Sequence, residues 1–368
     1  MNSVITRFAP SPTGLLHAGN YRTAVFSYLY ARQHEGKFVL RIEDTDHERS
    51  KEEYAENILE SLNWLGLEYD NTDSVPKQSA RSKIYKKYLQ KLIDDGKAYI
   101  SKEEIKKEGD RTEVIRFKNP NKIVTFHDLV RGDISTDTTD LGDFVIAKSL
   151  DEPIFHLAVV VDDFEMGITH VVRGEDHISN TPRQILIQEA IGATTPYYAH
   201  LPLLLAPDRT KLSKRKGALA MTEYRDRGYL PQAILNYMAL LGWNPGTDQE
   251  LLSKEELIEK FDLAKVQKGA AIFNEEKLNW LNREYLRRLK PEEFLTQAEP
   301  YLSELKKLPH YSPEKMQQLV PILLERIYTL GDLRQMFADG DLEFFFEEPK
   351  YPKELLKNTA YLADTIRL

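Results

Sequence analysis

The sequence predicts an α/β protein built on a parallel sheet, and four stretches carry that expectation. Val4 to Phe8, an apolar run broken by Thr6, reads as a buried strand. It passes through a glycine-containing loop into apolar spacing at Ala24, Val25, Tyr28 and Leu29, which reads as a helix. Lys37 to Ile42 is a compact apolar run suited to a central parallel strand. Ile154 to Val161 and Ile168 to Val172 return to the buried-strand pattern, each ending in charge, and Thr181-Pro182 then opens a helix.

The opening loop is Arg7-Phe8-Ala9-Pro10-Ser11-Pro12-Thr13-Gly14-Leu15-Leu16-His17-Ala18-Gly19-Asn20. In a parallel sheet such a junction lies at a strand's carboxyl end, where a helix N-terminus offers N–H groups to an anion. Gly14 and Gly19 would let a ligand approach the backbone, and a nucleotide phosphate is the natural guest. The second strand runs into Glu43-Asp44-Thr45-Asp46, which places three carboxylates at its carboxyl end. Glu43 is the first residue to leave on the ligand side, whereas Asp46 or Ser50 reads as the cap of the next helix.

Lys51 to Leu67 and Ser82 to Asp94 carry apolar residues at helical spacing, with Gly96 as a stop, and are expected to cover the sheet. From Tyr99 to Leu150 the pattern changes to short strand-like runs at Val114 to Phe117, Ile123 to Phe126 and Phe144 to Ala147. That stretch reads as an insertion between two halves of a nucleotide-binding fold. Lys211-Leu212-Ser213-Lys214-Arg215-Lys216-Gly217 packs four cations into seven residues. Ala233 to Gly242, Leu278 to Leu289, Gln317 to Thr329 and Lys353 to Ala363 read as helices, and Arg283 to Lys290 is a second basic patch.

Composition narrows the class. The chain has 368 residues, long enough for two or three domains, and its 41 % hydrophobic and 29 % charged residues are ordinary for a soluble globular protein. No apolar run is long enough to cross a bilayer and the N-terminus has no secretion pattern, so a cytoplasmic protein without membrane partners is expected. Zero cysteines exclude disulfides and thiolate metal sites. The net charge of −8 argues against a generic nucleic-acid binder, which leaves any such contact to the two local basic clusters.

His17-Ala18-Gly19-Asn20 together with Lys211 to Gly217 resembles the paired signatures of class I aminoacyl-tRNA synthetases. Arg7 to Gly14, Arg41 to Asp46, Val161-Asp162-Asp163, Arg173-Gly174-Glu175-Asp176-His177 and Leu212 to Arg215 resemble, more narrowly, the bacterial type of glutamyl-tRNA synthetase. The resemblance runs from the first residues to at least Leu289. It implies a Rossmann-type catalytic domain split by an α+β insertion and followed by an all-α region. The expected divisions are 1–98 and 151–205 for the two catalytic halves, 99–150 for an acceptor-end-binding insertion, 206–290 for the lysine loop and stem-contact region, and 291–368 for a helical anticodon-binding region. The chain ends short of where such proteins usually end, so that last region is expected to be incomplete.

The resemblance also implies the chemistry: glutamate activated with ATP, with Mg²⁺ on its phosphates, then passed to the terminal ribose of tRNA(Glu), with tRNA(Gln) as a further possible acceptor. Activation in that family generally waits for tRNA. His17 can donate to phosphate oxygens, and Lys214, helped by Lys211, can neutralise charge developing on pyrophosphate. Gly19, Asn20 and Asp176 complete the expected ATP site. Arg7, Ala9, Ser11, Glu43, Phe155 and Arg173 form the expected substrate site, Glu43 meeting the ammonium while Arg7, Ser11 and Arg173 meet carboxylates. Arg7 is expected to read the side-chain carboxylate, because glutamine would leave a buried guanidinium unpaired. Phe155 stands where many relatives have tyrosine, which removes one hydroxyl. Many relatives hold zinc at the start of the insertion; Ala98-Tyr99-Ile100-Ser101-Lys102 has no cysteine, so no zinc is expected, and the protein is expected to be a monomer. Three other readings share parts of this pattern: an enzyme that glutamylates a modified tRNA base, a non-catalytic tRNA-binding paralogue, and glutaminyl-tRNA synthetase. The first lacks a helical C-terminal region, the second would have lost His17, Glu43, Arg173 or Lys214, and the third fits the Ala9 to Gly14 wording less well.

Overall fold

The computed structural model describes residues 3–46, 48–103, 112–210, 212, 219–308, 310–342 and 345–346. The opening run forms β1 (Ile5–Phe8), the loop leads into α1 (Ala18–Gln33), and the chain returns as β2 (Lys37–Leu40). Next come α2 (Glu52–Trp64), α3 (Ser82–Asp94), β3 (Ala98–Lys102), β4 (Glu113–Phe117), β5 (Ile123–Asp128), β6 (Gly132–Asp137), β7 (Phe144–Ser149) and β8 (Glu152–Pro153). They are followed by α4 (Phe155–Glu165), β9 (His170–Gly174), α5 (Thr181–Ile191), β10 (Tyr197–Leu201) and β11 (Leu204–Leu205). The remaining described elements are α6 (Met221–Asp226), α7 (Pro231–Leu240), α8 (Lys254–Lys260), β12 (Ala271–Ile272), α9 (Glu275–Arg287), α10 (Pro291–Ala298), α11 (Pro313–Arg326) and α12 (Asp332–Ala338).

Six strands form the main sheet in the order β2-β1-β9-β10-β5-β6, parallel except for β6 against β5. The strand order reverses between β1 and β9, and in open α/β sheets such a switch point opens a crevice at the strands' carboxyl ends. Arg7 and Phe8 end β1 there, and Arg173 and Gly174 end β9. One face of the sheet is covered by a core that includes Leu89 and Leu92 of α3, Leu157 and Val160 of α4, and Leu186 and Ile187 of α5. Each such fully buried side chain contributes roughly 1.5–3 kcal/mol. On α1, buried Tyr21, Val25, Phe26 and Leu29 pack the helix among β1, β2, α7 and α8.

Several expectations change in three dimensions. Ile154 to Val161 is helix α4, and Asp162 and Asp163 sit in its last turns instead of at a strand's end. The helix is buried on nearly all sides, from Leu157 to Asp163, so its sequence shows no polar face and its apolar run imitates a buried strand. β2 is the edge of the sheet, not a central strand. Its outer side is apolar in sequence because the following loop covers it: Phe38 N donates to Asp70 Oδ2 (2.7 Å), Leu40 N donates to Asn71 Oδ1 (2.8 Å), and Asn71 Nδ2 returns to Leu40 O (2.8 Å). Asp46 accepts from Arg49 N at 3.2 Å within a tight turn, and the cap of α2 is Lys51, with no side-chain bond from Asp46 or Ser50. The segment read as an insertion divides between two sheets. β5 and β6 extend the main one, while β3, β4, β7 and β8 make an antiparallel sheet of their own.

The described residues separate into two compact units, those within 1–225 and 230–281 and those within 226–229 and 282–346. The second contains α10, α11 and α12 around Phe294, Met316, Val320, Leu323 and Leu333. Within it the basic patch is partly spent on structure: Arg283 and Arg287 both reach Glu325, while Arg288 and Lys290 stay exposed. The helix expected at Lys353 to Ala363 lies outside the described residues. No helix among the described residues is long and apolar enough to cross a membrane.

Candidate active site

A cavity of about 560 Å³ opens at the switch point, within the first unit. It is lined by Arg7, Ala9, Ser11, His17, Gly19, Asn20, Glu43, Phe155, Arg173 and Asp176, so ten of the twelve residues read from the sequence meet at one place. The other two, Lys211 and Lys214, lie outside the described residues. Of the residues flanking them, Leu212 lines the cavity and Ala220 forms an antiparallel bridge with His17.

His17 is the N-cap of α1, with extended backbone (φ −112°, ψ 177°). Its Nδ1 accepts the N–H of Gly19 at 3.1 Å, and Asn20 Oδ1 accepts the N–H of His17 at 3.2 Å. The helix thus satisfies its first donors with an imidazole instead of a hydroxyl. Because Nδ1 is the acceptor, the neutral ring carries its proton on Nε2, which makes that nitrogen a hydrogen-bond donor. Gly19 keeps this approach open, since a Cβ would stand 3.0 Å from His17 Cε1 and press the ring aside. On β9, a Cβ at Gly174 would displace the Asp176 carboxylate from its present position.

Charge is arranged in two distinct groups. On the β1 and β2 side, Arg41 is wholly buried and holds Glu43 Oε1 at 2.8 Å through Nη2 and Asp163 Oδ1 at 2.7 Å through Nη1. Asp163 Oδ1 also meets Arg7 Nε at 3.3 Å, and Asp162 meets Arg81 at 2.7 Å and Arg41 at 3.6 Å. Burial opposes ionisation of Asp163, but Arg7 and Arg41 outweigh it and hold the carboxyl below its ordinary value. Burial pushes Glu43 above its ordinary value despite Arg41, so an arriving cation would find a carboxylate with capacity to gain.

On the β9 and β10 side, Arg173 is buried among neutral acceptors. Its Nη1 donates to Gln184 Oε1 and its Nη2 to Thr181 Oγ1, both at 2.7 Å, and its Nε donates to His200 Nε2 at 3.1 Å. Among the described residues no carboxylate pairs with it. Burial brings its guanidinium down to about 10, still cationic near neutrality. A guanidinium has five N–H groups, so two of them remain for a ligand. His177, whose ring lies 5.6 Å from that of Phe155, is brought down to about 4 by burial and then by Arg173, and stays neutral beside that cation.

Arg41, Asp163, Thr181, Gln184 and His200 were not read from the sequence as site residues. Arg41 left one signal, since it stands two residues before Glu43 in extended chain and so faces the same side. Asp163 stood in the quoted Val161-Asp162-Asp163 motif, but the strand expected before it is a helix, so its place beside Arg7 and Arg41 was not foreseen. The start of the second sheet, Ala98–Lys102, supplies no thiolate, so the donor set of a cysteine zinc site is not present there.

A family model described as tRNA synthetases class I (E and Q), catalytic domain, matches residues 3–113 and 100–280, and the chain belongs to that family. Within it, the chain is similar to glutamate–tRNA ligases. That of Aquifex aeolicus (strain VF5) is 45 % identical over 391 residues, spanning 96 % of this chain and 81 % of its own length. That of Hydrogenobaculum sp. (strain Y04AAS1) is 47 % identical over 340 residues, spanning 83 % and 72 %. Among solved structures, a glutamate tRNA ligase from Elizabethkingia meningosepticum in complex with its amino acid matches with a TM-score of 0.88 at 32 % identity, over 99 % of this chain and 86 % of that one.

Proposed function

We infer that this chain is a glutamate–tRNA ligase: it activates L-glutamate with ATP to glutamyl-adenylate and transfers the glutamyl group to the 3′-terminal ribose of tRNA(Glu). The observation that carries the reading is the convergence on one cavity of Arg173, with two N–H groups for a carboxylate, Glu43, poised for an ammonium, and the His17-capped start of α1. An amino acid with two carboxylates supplies the complementary charges. Arg7 reads the side-chain carboxylate, with Ser11 beside it; Ala9 and Phe155 bound the space.

In activation, an α-carboxylate oxygen attacks the α-phosphorus of ATP and pyrophosphate leaves. Such a displacement depends on positioning and on charge stabilisation more than on a protein nucleophile. His17 Nε2–H donates to the phosphate oxygens and the N-terminus of α1 adds its dipole, with Gly19, Asn20 and Asp176 around the nucleotide. Lys214 and Lys211 neutralise the leaving pyrophosphate. Mg²⁺ arrives on ATP and the enzyme uses no zinc of its own. It works as a monomer in the cytoplasm, and tRNA(Gln) is the second acceptor to examine. Relatives that match along 96 % of the chain, well past the catalytic half, favour this reading over an enzyme acting on a modified tRNA base.

The test is charging with labelled glutamate on purified tRNA(Glu) and tRNA(Gln), with tRNA-dependent ATP–pyrophosphate exchange as the readout for the first step. Glutamate-dependent exchange and charging of tRNA(Glu) are expected, and absence of both would overturn the reading. Lys214→Ala is expected to slow exchange by orders of magnitude without changing Tm.

A further inference from the structure

The reading above requires Arg173 to present two N–H groups to the cavity but leaves open what holds the guanidinium in that plane. His200 on β10 and Asp128 at the end of β5 are wholly buried, and neither lines the cavity. His200 Nδ1 lies 2.6 Å from Asp128 Oδ2, and His200 Nε2 lies 3.1 Å from Arg173 Nε. The Nε–H of arginine can only donate, so His200 Nε2 must be bare and the ring proton must sit on Nδ1, facing Asp128. Asp128 is fixed in turn by the backbone N–H groups of Val130 (3.0 Å), Arg131 (2.8 Å) and His200 (3.1 Å). Thr181 Oγ1 also lies 3.1 Å from His200 Nε2, but it has an acceptor of its own in His177 O at 3.1 Å, so the bond from Arg173 Nε still fixes the ring proton on Nδ1.

We propose that His200, locked by Asp128, is a positioning residue for glutamate activation: it fixes the plane of Arg173 without neutralising it. A carboxylate in the place of His200 would also hold Nε, but it would compensate the charge on which substrate binding depends. A neutral imidazole accepts the same bond and leaves that charge for the ligand. The anion that sets the tautomer stands one ring further away, on β5. The segment 99–150 thus contributes, through Asp128, to the opposite wall of the substrate cavity.

The inference rests on the ligase reading and is tested with the full chain and tRNA, in pyrophosphate exchange with glutamate and ATP varied separately. His200→Leu, which keeps bulk and loses the acceptor, is expected to raise the KM for glutamate by about 10–100-fold and to leave the KM for ATP within about 2-fold. His200→Gln, whose amide oxygen can accept near the place of Nε2, is expected to regain most of that loss. Asp128→Asn lets an amide N–H occupy Nδ1 and drives the proton to Nε2; a rise of about 10-fold in the glutamate KM is expected. A purely structural role would impair Leu and Gln variants alike, or move both KM values together, and either result overturns the proposal. The nitrogen shifts of the His200 ring in the wild type give a check that needs no variant: a bare Nε2 is expected, and a protonated Nε2 overturns the proposal. A wild type without glutamate-dependent exchange would instead overturn the ligase reading, while the ring-nitrogen measurement would still decide the position of the proton.

Discussion

Two of the arginines that line the cavity, Arg7 and Arg173, belong to opposite electrostatic designs. Arg7 shares Asp163 with Arg41, which also holds Glu43, so cations and carboxylates alternate along that wall. Arg173 faces it with Gln184, Thr181 and His200 and, among the described residues, no carboxylate. The difference teaches what a buried cation is for. Arg41, compensated by Glu43 and Asp163, holds other groups in place; Arg7, which only shares Asp163 with it, and Arg173, held by neutral acceptors, keep charge for a ligand.

That contrast breaks if the two sides respond alike to removal of their cations. Arg41→Met leaves Glu43 buried without its counter-charge and Asp163 with Arg7 alone, and a loss of about 3–5 kcal/mol in unfolding free energy is expected from denaturant titration. Arg173→Met leaves only neutral acceptors, so a smaller loss of about 1–2 kcal/mol is expected, with a rise of about 100-fold in the KM for glutamate. Equal destabilisation by the two would refute the distinction. Arg7→Ala sharpens it further: preference for glutamate over glutamine in exchange is expected to fall by at least about 10-fold, and an unchanged preference would remove Arg7 from side-chain recognition.

Two smaller effects concern the surroundings. Gly19→Ala puts a methyl group against the His17 ring, and exchange is expected to slow by about 10-fold through the ATP step, with the KM for glutamate unaffected. The second effect is in pH. Burial first, then Arg183 and Arg173, bring His156 down from 6.5 to about 4, and His170 and His177 are held at about 4 as well. Below pH 6.5 the unfolded chain therefore binds protons that the folded one refuses, so stability falls as pH drops from 6.5 towards 4. Denaturant midpoints at pH 7 and pH 5 are expected to differ less in His156→Gln than in the wild type.

Much of the fold was legible because it is local. The strand–loop–helix order at Ile5 to Gln33, the helices over 52–64 and 82–94, and the charged residues where β1, β2 and β9 end all follow from spacing and turn chemistry. Ten of the twelve candidate residues, most of them named through the family resemblance, line one cavity where the ends of β1 and β9 and the starts of α1 and α4 meet. Where burial was set by distant partners the sequence misled. Phe155–Glu165 is surrounded by α3, α5 and β7 and so lost the polar face that marks a helix. β2 kept an apolar pattern at the sheet's edge because Asp70 and Asn71, some thirty residues on, satisfy its backbone.

By itself, then, the sequence determined the opening strand, loop and helix and the helices over 52–64 and 82–94, because these depend on residues a few positions apart. Only the tertiary structure decided which cations are compensated. Asp163 lies 156 residues from Arg7, and Asp128 lies 72 from His200. No local period encodes such pairings, and they, rather than the count of arginines, set where a carboxylate can bind.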